Sequence, residues 1–229
     1  MLALSKFGNE QTKKIFTRHG AREPFYGVKV GDLKTLVKKI KTDHHLALEL
    51  YETGNSDAMY LAGLIADENL VTREELQHWV RNAYWYMLSE YTVAWLAAES
   101  QYGWELALEW IESDEEGMAS SGWSTLSNLV SLMPDEELDQ EKLLALLDSV
   151  ARDIHQSHNR VRYTMNGFVI AVGSYVEALT KKANEVAAII GKVTVDMGGT
   201  SCKVPLATEY IKKIGAKGTI GKKRKSARC

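Results

Sequence analysis

The chain has 229 residues and a formal net charge of −2, with 45% hydrophobic and 25% charged residues, three prolines and two cysteines. This is an ordinary globular composition, long enough to bury a substantial core. It excludes a disulfide framework or a zinc-type cysteine spacing and points to a reducing compartment. The opening MLALSKFGNEQTKK lacks an apolar h-region, which argues against secretion, so a cytoplasmic chain with no membrane segment is expected.

Taken in order, the chain reads as helix after helix. Residues 5–19 form an amphipathic helix with Lys13, Lys14 and Arg18 on its polar side, broken by Pro24 and Gly27. A second starts at Gly31 and Asp32, where Leu33, Leu36, Val37 and Ile40 keep the i, i+3, i+4, i+7 spacing of a buried face. Asp43 restarts the chain into HHLALELYE, which Gly54 stops as a C′ glycine does. His44 and His45 are adjacent, diverge on a helix and make a poor metal pair. Ser56 opens another apolar-faced helix. Thr72 and Glu75 match a capping box, and the aromatic stretch NAYWYMLSEYTVAWLAAES follows Arg81. Beyond Gly103, Trp104, Ala107, Leu108 and Ile111 share a face. Ser113 and Glu116 read as a second capping box, opening EGMASSGWSTLSNLVSLM. After Pro134, Leu143, Leu146, Leu147 and Val150 form the next stripe.

Residues 155–175, HQSHNRVRYTMNGFVIAVGSY, organise the rest. They begin with His155, His158, Asn159, Arg160 and Arg162 and then turn almost wholly apolar or small. A helix apolar on every side is a buried one, and the run is short of the roughly 18 residues that cross a bilayer. Gly167, Ala171 and Gly173 would admit close neighbours. The cationic start suits an anionic ligand or, equally, is a solvated helix end. Residues 179–190 make a further helix, KVTVDMGGTSC has strand-like alternation, and residues 204–214 form the last helix with Pro205 in its first turn. Gly198-Gly199-Thr200-Ser201 lacks phosphate-loop spacing and reads as a connection, with Cys202 a buried structural cysteine.

About twelve helices with short links imply antiparallel pairs stacked side by side. The expected organisation is one all-α domain over residues 1–214 and a tail, 215–229. Residues 203–229 hold nine Lys or Arg and one Glu, so the rest of the chain carries the acidic excess. The glycine-punctuated tail GAKGTIGKKRKSARC is expected to be disordered and to meet polyanions.

GVKVGDLKTLVKKIK, LALELYETGNSDAMYLAGLIAD, the aromatic helix around Tyr84-Trp85 and NRVRYTMNGFVIAVGSY together resemble the AlkD-type alkylpurine DNA glycosylases over residues 5–214. The resemblance implies a superhelix of HEAT-like helix pairs holding DNA on a cationic concave face and, in active members, excision of cationic 3- or 7-alkylated purines. It also implies site residues. The family's tryptophan is matched by Trp85, but its aspartate four residues on is replaced by Ser89, whose neutral hydroxyl cannot stabilise a developing sugar cation. Glu90 is the fallback carboxylate, although one residue round an α-helix turns it about 100° away. The family's arginine should fall near Ser121-Gly122, yet no arginine lies between Arg81 and Arg152. A further tryptophan is missing around Asn166, Gly167 and Phe168. The resemblance therefore implies a DNA-binding repeat protein with weak or no standard glycosylase activity. It would meet duplex or branched DNA mainly through phosphates, with Trp85, Trp123, Asn159, Arg160, Arg162, Asn166 and Lys203 as contacts, as a monomer without metal or cofactor. The alternatives are an active glycosylase with a divergent residue set and a protein-interaction scaffold. Cations gathered on one face favour DNA; scattered cations favour the scaffold.

Overall fold

The computed structural model describes residues 1–200 and 202–228, leaving Ser201 of the glycine-rich connection and Cys229 at the end of the tail outside the described residues. Among those described the chain is all-helical, without strand. The helices are α1 (Leu2–Ser5), α2 (Glu10–Arg18), α3 (Val30–Ile40), α4 (His44–Glu52), α5 (Ser56–Ile65), α6 (Arg73–Asn82), α7 (Ala94–Glu99), α8 (Gly103–Trp110), α9 (Glu116–Leu132), α10 (Gln140–Asp153), α11 (Asn159–Tyr175), α12 (Thr180–Ile190) and α13 (Ala207–Ala216). A π-helical segment, Met87–Val93, runs directly into α7. KVTVDMGGTSC, strand-like in sequence, lies in the connection between α12 and α13.

Polar caps set the helix starts. Asn9 accepts from the Thr12 N–H, so the helix predicted over residues 5–19 begins only at Glu10, and a separate short turn, α1, precedes it. Asp43, Asn55 and Asp139 cap α4, α5 and α10 in the same way, and Thr72 with Glu75 closes the expected capping box. Each such cap contributes about 1 kcal/mol. The second predicted box does not form. Ser113 Oγ accepts from the Glu115 N–H, and α9 begins without a side-chain cap. Glu116 turns away to accept the backbone N–H of Arg160 at 2.8 Å, satisfying an orphan donor at the start of α11.

Two layers result. Helices α5, α7 with its π segment, α9, α11 and α13 are successive neighbours, and α4, α8 and α12 pack behind α5, α9 and α11. Glycine allows the closest approaches. A Cβ on Gly122 would lie 2.8 Å from the Ile111 backbone nitrogen, and one on Gly173 would lie 2.6 Å from Ile211 Cδ1. Gly173 thus fits α11 against α13 as expected, whereas Gly167 faces open space. One apolar cluster runs from Leu4 to Trp110 and a second from Ala98 to Ile211, so the two halves are continuous through α7 and α8.

The basic tail is not disordered over its described residues. Gly221 N–H donates to Ser174 O at the end of α11. Arg224 N–H donates to Ser131 O at 2.7 Å and Lys223 Nζ to Val130 O at 2.8 Å, both at the end of α9. Ser226 Oγ and the Ala227 N–H reach Glu99 at the end of α7, and Arg228 Nη1 reaches Ala66 O beyond α5. The tail therefore crosses the carboxyl ends of four parallel helices, where unsatisfied carbonyls and the helix dipoles favour cations. Ala227 is fully buried in the N-terminal cluster, which ties the two ends of the molecule together. Because Arg228 also pairs with Glu68 and Glu99, each at 2.9 Å, Arg228→Ala should cost about 2 kcal/mol, as expected for charged hydrogen bonds. Calorimetry should then show a melting temperature roughly 4–8 °C lower; an unchanged value would mean that the docked tail contributes nothing.

Candidate nucleic-acid interface

The tail marks the carboxyl-end edge of the inner layer, and the amino ends of the same helices meet at the opposite edge. There Trp85 and Tyr86 lead into the π segment, Glu116 and Gly117 open α9, and Arg160 lies in the first turn of α11. With His19, Ser89 and Ser120 they line a cavity of about 230 Å³. This is the position that the resemblance assigns to chemistry. Ser89 lies in its wall. On α9 the residues lining the cavity are Glu116, Gly117 and Ser120. Ser121 is fully buried and Gly122 abuts the α8 backbone, so neither could present an arginine here.

Glu90 does not share that cavity. It is 4% exposed, and Arg160 holds it in a two-pronged fork, Nε to Oε1 at 2.7 Å and Nη2 to Oε2 at 2.5 Å. The guanidinium lies between two aromatic rings, 4.5 Å from the Tyr86 centroid and 4.4 Å from that of Tyr163. Burial pushes the Glu90 carboxyl up to about 7, opposed by the hydrogen bonds and charge of Arg160 and reinforced by the charge of Glu116. Burial likewise raises Tyr86 to about 12, and burial with the nearby Arg160 charge lowers His19. Arg160 is thus committed to an internal carboxylate and has little net field left for a phosphate. Tyr86 continues edge-to-face onto Tyr91, and Tyr91 onto Trp95, with centroids 6.2 and 5.3 Å apart.

Other expected contacts fall elsewhere. Trp85 borders the cavity but is only 6% exposed, packed on Phe16 at 5.4 Å. Trp123 is a core residue, set edge-to-face on Phe168, and offers no platform. Asn166 is 1% exposed and donates to Pro205 O, while Asn159 exchanges two hydrogen bonds with the Asp196 backbone. Both asparagines therefore pin the 191–206 connection to α11 rather than facing a ligand. Arg162 Nη2 only approaches Asn159 Oδ1, at 3.5 Å, with its Nε buried and unpartnered. Lys203 is exposed and lines a larger cavity of about 780 Å³, where Lys222, Lys223 and Arg224 join it. Cys202, expected in the core, is exposed. The sequence reading missed Glu116, His19, Tyr86 and Tyr163. Only the chain order of Tyr86 beside Trp85 could have pointed to one of them.

No described helix is long and apolar enough to cross a membrane. A family model described as DNA alkylation repair enzyme matches residues 1–189. An uncharacterized protein of Listeria innocua serovar 6a is 38% identical over 216 residues, covering 92% of this chain and 93% of that protein. One from Listeria monocytogenes serovar 1/2a is 36% identical over 216 residues, with the same coverage. A solved structure described as "a new family of proteins related to the HEAT-like repeat DNA glycosylases with affinity for branched DNA structures" superposes with a TM-score of 0.91 at 39% identity, covering 100% of this chain and 97% of that one.

Proposed function

The chain belongs to the DNA alkylation repair enzyme family, and we propose that within it this protein binds branched DNA as a cytoplasmic monomer and excises alkylated bases weakly or not at all. The observation that carries this reading is the composition of the amino-end cavity. Ser89 stands at the carboxylate position, and the neighbouring Glu90 is forked to Arg160. A cavity with that lining can seat part of a nucleotide, but its one carboxylate among the described residues is Glu116, held by the Arg160 N–H. The position four residues after Trp85 offers a departing base only a neutral hydroxyl. Binding is favoured on the other count. Lys203 joins Lys222, Lys223 and Arg224 of the tail around one cavity on the inner layer, which favours a polyanion over a plain protein scaffold, although Lys223 is already paired with Asp135 and Arg160 with Glu90. The affinity of the structurally similar protein for branched DNA supports the same ligand here.

Equilibrium titration with duplex, gapped, branched and single-stranded DNA of matched sequence, at two salt concentrations, tests the reading. Branched DNA should bind more tightly than linear duplex. Log affinity should fall against log salt by about 0.9 for each duplex phosphate neutralised. Equal affinity for linear and branched DNA, or affinity insensitive to salt, would remove this proposal.

A further inference from the structure

The 780 Å³ cavity does not stand alone. A second cavity, of about 220 Å³, begins beside Glu90 and Tyr91. Ser127, Asn128, Tyr163, Gly167 and Arg224 line both, so the two form one trough along α9 and α11. The tail forms one side where it passes from α11 to α9. None of the residues lining the larger cavity is acidic, against four cations, of which Lys223 is paired with Asp135 at 2.7 Å and Lys203, Lys222 and Arg224 have no carboxylate partner among the described residues. Tyr163 stands at the middle of the trough and Tyr175 and Tyr210 at its far end. Ser174 Oγ, in the wall, is buried without a partner. Gly167 is the low point of the trough, because a Cβ there would meet no atom within 4 Å.

We propose that this trough is a single-strand channel, which takes the unpaired DNA strand leaving a branch point. The proposal rests on the branched-DNA reading above and names the part of such a ligand that this site receives. A duplex keeps its bases stacked inside and offers a walled trough only its phosphates. A single strand offers both phosphates and open base faces, and a cationic groove set with aromatic rings matches that pair. Lys203, Lys222 and Arg224 would meet phosphates, and Tyr163 and Tyr210 would stack bases. The docked tail has a function in this arrangement, since removing it opens one wall.

Gly167 supplies a test that does not endanger the fold. It lies inside α11 without a positive φ and with open space at its Cβ. Gly167→Leu therefore removes the helix penalty of glycine while filling the trough. The probes are a fluorescein-labelled oligothymidylate and two three-way branched DNAs, one with a single-stranded arm and one with every arm duplex. Wild type should prefer the single-stranded arm by about tenfold or more, the order expected from stacking a base on an aromatic ring. In Gly167→Leu the preference should vanish along with oligothymidylate binding, whereas Gly167→Ala, adding one methyl, should keep most of it. If Gly167→Leu binds oligothymidylate like wild type, or wild type shows no preference between the branched DNAs, the channel is wrong while the branched-DNA reading stands. Failure of wild type to bind any of the three overturns both.

Discussion

In a single-turnover assay with excess protein, 7-methylguanine should leave duplex DNA little faster than it does in a protein-free control. As the base departs, positive charge builds on the sugar, and a carboxylate fixed beside it lowers the barrier. Losing one such preorganised group typically costs about 10²–10³-fold. Ser89 supplies no charge, Glu90 is turned into a fork with Arg160, and α9 presents Gly117 and Ser120 where an arginine would be needed. Ser89→Asp should not restore full activity on its own. It would place a carboxylate in a nearly fully buried position beside Glu116 and leave the missing arginine missing. Robust wild-type excision would sink this prediction. Glu116 would then be the carboxylate to replace, because it lines the same cavity and only its Oε1 is engaged, by the Arg160 N–H.

The helices were legible because their signals are local. Leu33 and Leu36 fall on one buried face of α3, and the Thr72 box closes as its spacing predicts. What sequence reading missed is set by groups far along the chain. Glu116 has the right spacing to Ser113, yet the first turn of α11, 44 residues later, competes for its carboxylate and wins. The tail has the composition of a disordered segment. Only the fold places the carbonyl ends of α5, α9 and α11 and the Glu99 carboxylate in a row to receive it. Trp123 could serve a core or a platform equally well in sequence, and the packing of α9 on α11 assigns it to the core. Trp85 and Ser89, singled out in the sequence, line one cavity, but the electrostatics beside it depend on the pairing of Glu90 with Arg160, 70 positions apart.

Arg160→Ala should be among the most destabilising single substitutions in the protein, and its cost should grow with pH. The change deletes the partner of a buried carboxyl and two cation–π contacts. Breaking a buried pair from one side costs about 3–5 kcal/mol, or a melting temperature lower by roughly 6–20 °C in a chain of this length. Glu90 already sits at about 7, since burial outweighs Arg160. Without Arg160 that opposition disappears and the carboxyl rises further. An acid whose folded pKa lies above its unfolded value contributes stability below the unfolded pKa and loses it as pH rises through the folded one. Wild type therefore loses this contribution as pH rises through about 7. The variant, with the higher folded pKa, loses more over the same rise. Near about pH 5 Glu90 is protonated in both proteins and the deficit is smallest; by about pH 8 it should be largest. Adding Glu90→Gln to Arg160→Ala removes the ionisable group, so the double variant should melt above Arg160→Ala at the higher pH and lose the pH dependence. Paired thermal melts at the two pH values decide the matter: an equal deficit at both would mean that Arg160 supports the fold through packing alone.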